Sequence, residues 1–152
     1  MDDFELYQLC KNGEDTKKIE NLLKRGEIDV NVSSKLNLEG SMTLLMISIV
    51  YGDWELFIML LDYGAVVNLF TKNNKITPLM CSCIHSRTGM TTLLIKYGAK
   101  LDVQDAGNWF PLIYAAENES YADMYLLLSV GADYILTTDE GDIFDDHLVD
   151  EK

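Results

Sequence analysis

The sequence predicts an all-α solenoid, in which pairs of short helices stack side by side. The first observation is that Thr43, Thr77 and Phe110 each begin an apolar segment and stand 34 and then 33 residues apart. The second is that a glycine follows each of them after 21 residues. A self-similar period near 33 residues is typical of solenoids built from stacked helix pairs.

The residues that begin and end each repeat favour this fold for physical reasons. The two prolines of the chain, Pro78 and Pro111, directly follow the residue that begins a repeat and fall at the first helical position, where the missing N–H costs nothing. Thr43 and Thr77 can cap a helix with a side-chain oxygen, whereas Phe110 cannot, so we expect a weaker cap in the last repeat. The glycine at the end of each repeat is expected to stop the second helix in a left-handed conformation.

These residues resemble the ankyrin repeat, whose pattern begins T-P-L-H-x-A and whose second helix ends L-L-x-x-G-A-D before a hairpin finger. The segment TPL at 77–79 matches the beginning, and the segment GAD at 131–133 matches the end. The histidine of the pattern is replaced by Met46, Met80 and Ile113, so the hydrogen bonds that it makes with threonine between repeats are absent. We expect a softer array, with about 1 kcal/mol less stability for each missing bond.

The whole chain, residues 1–152, is predicted to be one ankyrin-repeat domain. It divides into four repeats and a short C-terminal cap: 4–42, 43–76, 77–109, 110–142 and 143–152. The first connector contains an insertion around residues 33–39, which is either a tolerated surface loop or a finger that contacts a partner. Trp54 aligns with a core position of the family, so we expect it to pack inside. In the cap, Phe144 and Leu148 are four residues apart and can dock one short helix.

The three cysteines are expected to be buried structural thiols. An odd number argues against the disulfide framework of a secreted protein. Cys81, Cys83 and His85 are close enough in sequence to suggest a metal site, but on a helix residue 83 points about 200° away from residue 81, so the three side chains could not converge. We therefore expect no metal and no cofactor.

The chain has no segment that resembles a signal peptide or a membrane helix. Its acidic start, MDDFELYQLC, lacks the basic and then apolar regions of a secretory signal. No stretch reaches the ~18 consecutive apolar residues that a membrane helix needs. We expect a cytoplasmic or nuclear protein without membrane association.

The sequence contains no recognisable catalytic motif. The patterns G-x-x-x-x-G-K-[ST], H-E-x-x-H and G-x-S-x-G are all missing. The two histidines, His85 and His147, fall in different repeats, and an extended array rarely builds the concave pocket in which catalytic groups converge. We therefore expect that the protein is not an enzyme.

The acidic residues are concentrated in the last third of the chain. Residues 1–100 contain 12 acidic and 11 basic side chains, whereas residues 101–152 contain 13 acidic side chains and one basic. Such a field repels nucleic acid, whose phosphates need lysine and arginine partners. It speeds and orients the encounter with a basic protein. The alternative is that these charges serve solubility and a charged cap.

The resemblance also implies a face that binds partner proteins. In the ankyrin family, the finger tips and the exposed ends of the first helices line a concave surface. By position, that surface here contains Tyr51, Phe70, Lys72, Ile76, His85, Gln104, Trp109 and Asn118. Phe70 and Trp109 are candidate anchors, because aromatic residues in polar surroundings are frequent binding hot spots; Trp109 could instead cover the next helix pair. The candidate contacts for lysine or arginine of a partner are Glu117, Glu119, Asp139 and Asp142.

Three functions are compatible with these features. The first is a non-catalytic adaptor that binds one partner protein. The second is an enzyme regulator, because a four-repeat chain of this size looks like the ankyrin-type inhibitors of cyclin-dependent kinases. The third is a structural subunit of a large assembly. Asn31 and Asn68 occupy the position at which the finger asparagine of the family can be hydroxylated, and the sequence does not show whether they are.

Overall fold

The structure, a computed structural model, describes residues 1–13, 15–35 and 41–134. Within these residues the chain forms four helix pairs and one antiparallel hairpin. The helices are α1 (Asp3–Asn12), α2 (Thr16–Lys24), α3 (Leu44–Tyr51), α4 (Trp54–Asp62), α5 (Pro78–Ile84), α6 (Thr88–Lys96), α7 (Pro111–Glu117) and α8 (Tyr121–Ser129). The strands are β1 (Ser33–Lys35) and β2 (Ser41–Thr43).

The helices stack in two layers. The first helices of successive pairs contact each other in the order α1, α3, α5 and α7, and the second helices contact each other from α2 to α4 and from α6 to α8. Helices this short are unstable alone and depend on such neighbours. Because α3 and α5 have a neighbour on both sides, residues 44–49 and 78–83 are all buried. The predicted all-α solenoid of stacked helix pairs is confirmed.

The predicted differences between the helix caps are also confirmed. Thr43 Oγ1 accepts a hydrogen bond from the Met46 N–H at 3.3 Å, and Thr77 Oγ1 accepts one from the Met80 N–H at 3.2 Å. Phe110 makes no side-chain cap bond. The Thr77 N–H donates in turn to the sulfur of Met80 at 3.5 Å. Methionine at the family's histidine position therefore supplies only a weak acceptor to its own helix start.

The glycine after each second helix has the predicted left-handed backbone. The φ angle is +81° at Gly64 and +89° at Gly98. After Gly64, the Ala65 N–H donates to the Leu60 carbonyl at 2.9 Å, which satisfies a carbonyl at the end of α4. This geometry turns the chain out of the helix and into the finger.

An asparagine or aspartate after α2, α4 and α6 joins its repeat to the next. Asn68 accepts the Lys100 N–H at 2.9 Å and donates to the Gly98 carbonyl at 3.0 Å. Equivalent bonds connect Asn31 to the Val66 N–H at 2.8 Å and Asp102 to the Asp133 N–H at 2.9 Å. Both asparagine side chains are therefore engaged in hydrogen bonds between repeats.

The predicted insertion in the first connector contains strand β1, which pairs with β2. Strands β1 and β2 stand on either side of residues 36–40, and β1 contacts α1. The predicted C-terminal cap at 143–152, with Phe144 and Leu148, lies outside the described residues.

The cysteines are buried and free, as predicted. Cys10, Cys81 and Cys83 are between 0% and 2% exposed. Burial raises the pKa of the Cys10 and Cys81 thiols to about 12, with a smaller contribution from Asp53 at Cys10. A thiol with so high a pKa stays protonated and unreactive at neutral pH.

The expectation that Trp54 is a core residue was wrong. Trp54 is the first residue of α4, and 47% of its surface is exposed. One face of its ring stacks on Phe57, with ring centroids 5.7 Å apart. The ring also lies close to Gly89 of α6, which has no side chain to cover it.

Candidate partner-binding face

Two fingers connect the later repeats, and their tips are joined. Finger two comprises residues 68–76 and finger three comprises residues 102–109. The Ala106 N–H in finger three donates to the Asn74 carbonyl in finger two at 2.9 Å. The two fingers therefore form one continuous surface at the starts of the first helices.

Asp105 supports the backbone of finger three. It is only 8% exposed, and its Oδ1 accepts the N–H groups of Gly107 at 2.8 Å and Trp109 at 2.9 Å. Its Oδ2 accepts the hydroxyl of Tyr114. Burial, and then the neighbouring Asp105, raise the pKa of the Tyr114 hydroxyl. Sequence reasoning missed this residue, although aspartate two residues before glycine is a known turn signal.

Trp109 lies against the helix that follows finger three. Its side chain is half-buried and packs against the core, and its ring centroid is 5.3 Å from that of Tyr114 in α7. Gln104 in the same finger is exposed, and its Nε2 donates to the Asn108 carbonyl at 3.2 Å. Finger three thus exposes polar groups at its tip, while its tryptophan packs against the helix that follows.

Finger two presents an uncovered aromatic ring. Phe70 is 57% exposed, and Lys72 beside it is exposed as well. Thr71 between them is buried and bonds to Ile76 twice, through its N–H to the Ile76 carbonyl at 2.9 Å and through its Oγ1 from the Ile76 N–H at 3.0 Å. The backbone that holds Phe70 is therefore fixed while the ring itself faces solvent.

Each of the last three first helices ends at an exposed polar or aromatic residue. At the ends of α3, α5 and α7 these are Tyr51, His85 and Asn118, which occupy equivalent positions in their repeats. The Tyr51 hydroxyl shares a hydrogen bond with that of Tyr7, an aromatic partner that the sequence did not reveal. Burial and that bond raise the pKa of Tyr51 to about 12. Burial, and then Arg87, lower the pKa of His85.

The predicted face forms two clusters. Phe70, Lys72 and Ile76 lie together in finger two, next to Gln104 and Trp109, whereas Tyr51, His85 and Asn118 lie at the opposite ends of the first helices. A first helix of eight residues separates the clusters by about 12 Å. Glu117 and Glu119 are exposed on either side of Asn118. Asp139 and Asp142 lie outside the described residues.

The comparison with known families decides what these repeats are. A sequence model of ankyrin repeats, spanning three copies, matches residues 6–105 and 45–138. The chain belongs to the ankyrin repeat family. It is 32% identical over 88 residues to an ankyrin repeat protein of Fowlpox virus (strain NVSL), a match that covers 58% of this chain and 29% of that protein. It is 29% identical over 144 residues to an ankyrin repeat protein of Rickettsia bellii (strain RML369-C), covering 91% of this chain and 40% of that protein.

Both relatives are much longer than the matched region, since the alignments span less than half of each. The described part of this ankyrin chain contains no group of three or more histidine, cysteine or acidic side chains arranged to hold a metal ion. No helix in the described ranges is long and apolar enough to cross a membrane. What the site offers chemically is a surface with aromatic, polar and acidic groups, of the kind with which ankyrin repeats bind other proteins.

Proposed function

We propose that this ankyrin repeat chain is a non-catalytic adaptor that binds one partner protein through fingers two and three and the ends of its first helices. The observation that carries the proposal is the 57% exposure of Phe70 on a backbone held by hydrogen bonds. A preorganised aromatic ring loses little conformational freedom on binding and buries a large apolar area. Lys72 and Gln104 supply polar groups at its edge.

We infer that the partner presents a basic segment. The support is the run of acidic residues from residue 101 onward, with Glu117 and Glu119 exposed beside the helix-end cluster. Charges at the rim of an interface mainly steer encounter and set salt dependence. A cytoplasmic or nuclear location is proposed as well, because free buried thiols are typical of reducing compartments.

The anchor is tested by affinity capture from the source cell, with mass spectrometry of the captured proteins. The wild type is compared with Phe70→Ala and with Tyr97→Ala, a matched control that removes another exposed aromatic ring, 49% exposed, from the end of α6. The proposal expects one protein that is lost with Phe70→Ala and retained with Tyr97→Ala. Equal capture by all three proteins would remove Phe70 from the site.

The charge preference is tested with Glu117→Lys combined with Glu119→Lys, against the control Glu55→Lys on the exposed start of α4. The proposal expects weaker binding at high salt and in the double variant only, because exposed charges are screened by salt. A complex that is insensitive to salt would favour the structural-subunit function, since large apolar interfaces respond little. If a captured protein is a kinase and this chain inhibits it, the enzyme-regulator function would be favoured.

A further inference from the structure

A groove lies at the end of the helices away from the fingers, where the two helices of a repeat are joined and beside Tyr51 and His85 of the helix-end cluster. The turn between α3 and α4 and the first turn of α6 enclose a groove of about 200 Å³. Its lining residues are Gly52, Trp54, Arg87, Thr88, Gly89 and Met90. The groove shares no residue with the proposed partner-binding face.

Trp54 forms one wall of the groove and rests on a bare glycine. Its exposed indole reaches across to α6, where a Cβ added at Gly89 would lie 3.2 Å from Trp54 Cη2. Glycine inside a helix is about 1 kcal/mol less favourable than alanine. Because position 89 has no side chain, the Trp54 ring can lie against α6, and 47% of the residue's surface stays exposed.

Arg87 forms the opposite wall. Its Nε and Nη2 donate to the carbonyls of Ile49 and Val50, both at 3.3 Å, at the end of α3. The guanidinium lies over Gly52, where an added Cβ would be 2.8 Å from Arg87 Cζ. These bonds fix the plane of the guanidinium at the edge of the groove.

The charge of Arg87 is not neutralised by the described part of the chain. The ion pairs described are Lys24 with Glu20 and Arg25 with Glu27. Guanidinium has five N–H donors, so two carbonyl bonds leave donors for another acceptor. The half-buried Arg87 side chain therefore has N–H groups that can bind an acceptor beside the exposed Trp54, in a chain whose net charge is −13.

The size and chemistry of the groove select its occupant. Small-molecule pockets are usually about 300–1,000 Å³, so a groove of about 200 Å³ is better suited to neighbouring side chains of a protein segment. The planar fork of arginine matches a carboxylate, and the tryptophan face takes an apolar or aromatic group. Tryptophan and arginine are also the residues most often found at binding hot spots.

We propose that this groove binds an acidic segment of a partner protein, with an aspartate or glutamate on Arg87 and a neighbouring aromatic or large aliphatic side chain on Trp54. The proposal goes beyond the adaptor function and does not depend on it, because the two surfaces prefer segments of opposite charge.

The test is an NMR titration of the full chain with the peptide acetyl-Gly-Phe-Asp-Asp-Gly-amide, using acetyl-Gly-Phe-Lys-Lys-Gly-amide as the matched control. The acidic peptide is expected to shift the Trp54 indole N–H and the Arg87 Nε–H, and to leave the Trp109 indole N–H in place. The lysine peptide is expected to shift neither the Trp54 indole N–H nor the Arg87 Nε–H. No shift at millimolar acidic peptide, or equal shifts with both peptides, would overturn the proposal.

Variants separate binding from folding. Arg87→Gln is expected to weaken binding about tenfold, because it removes a charge-assisted contact; Lys96→Gln at the exposed end of the same helix is the control. Since Arg87→Gln also removes two structural bonds, Thr88→Glu serves as a second variant, which keeps them and places a carboxylate beside the guanidinium. It is expected to block the peptide while Thr88→Gln does not.

Two outcomes of the variant series would count against the proposal. Unchanged affinity in both Arg87→Gln and Thr88→Glu would show that the guanidinium does not bind the peptide. Shifts of the same groove resonances on raising the protein concentration alone, without peptide, would assign the groove to a second copy of the chain and overturn the assignment to a partner protein.

Discussion

Fingers two and three are each held by a buried polar side chain, but the supports differ. Thr71 and Asp105 stand at equivalent positions, and both are buried. The Thr71 hydroxyl accepts one N–H, whereas the Asp105 carboxylate accepts two N–H groups and a tyrosine hydroxyl. The ring of finger three packs against Tyr114, and the ring of finger two is exposed. The finger with the larger set of bonds to its buried acceptor thus has a packed ring, and the finger with the smaller set has an exposed ring.

The largest effect is expected from Asp105→Ala. This change leaves the Gly107 and Trp109 N–H groups and the Tyr114 hydroxyl without an acceptor, and should lower the free energy of unfolding by about 3 kcal/mol. Urea denaturation measures the difference. Asp105→Asn, which keeps one acceptor oxygen, should lose less. Loss below 1 kcal/mol for the alanine variant would mean that finger three does not support the array.

The next largest effect is expected when the aromatic residues of the two fingers are each replaced by alanine. Trp109→Ala removes a half-buried ring that packs on Tyr114, and should lower the free energy of unfolding by about 2 kcal/mol. Phe70→Ala should change it by no more than about 0.5 kcal/mol, as is usual for exposed positions. Both values come from the same urea experiment. Equal losses would erase the distinction between the fingers.

A smaller effect is expected from Thr71→Val. The substitution keeps the shape of the side chain but leaves the Ile76 N–H without its acceptor, at a cost of about 1 kcal/mol. Thr92→Val is the control, because the Thr92 hydroxyl bonds at an exposed position to the Thr88 carbonyl. Proteolysis within finger two should become faster in the first variant. An effect as large as that of Asp105→Ala would contradict the comparison.

The smallest effect is a pH dependence confined to finger three. The pKa of Tyr114 is raised in the folded protein, so its protonated form contributes stability that is complete below pH 10, the ordinary tyrosine pKa, and is lost as the pH rises further. Wild type should therefore lose stability above pH 10 more steeply than Tyr114→Phe. Parallel curves in thermal unfolding from pH 9 to about pH 11 would show that the Tyr114 hydroxyl does not support the finger.

Features set by local backbone chemistry could be predicted from the sequence. Thr43 and Thr77 cap the next helix, and Gly64 ends one, because each acts on residues within five positions of itself. The repeat period then placed these elements in the stack. The fold was therefore accessible without any knowledge of long-range contacts.

Features that depend on a partner from another repeat could not be predicted. The bond between Tyr7 and Tyr51 joins residues 44 positions apart, and Arg87 reaches carbonyls 37 and 38 positions away. Trp54 was misplaced for the same reason, since its exposure depends on what α6 places opposite it. A repeat pattern gives the position of a side chain but not the neighbour that covers it.

The most direct test of the account places a photo-crosslinking residue, p-benzoylphenylalanine, at position 70 and, in a matched protein, at position 97. After irradiation in the source cell, mass spectrometry identifies the linked proteins and the linked segment. The account predicts one crosslinked protein from position 70 that is absent from position 97, joined near a lysine- or arginine-rich segment. Crosslinking from position 97 but not from position 70 would contradict it.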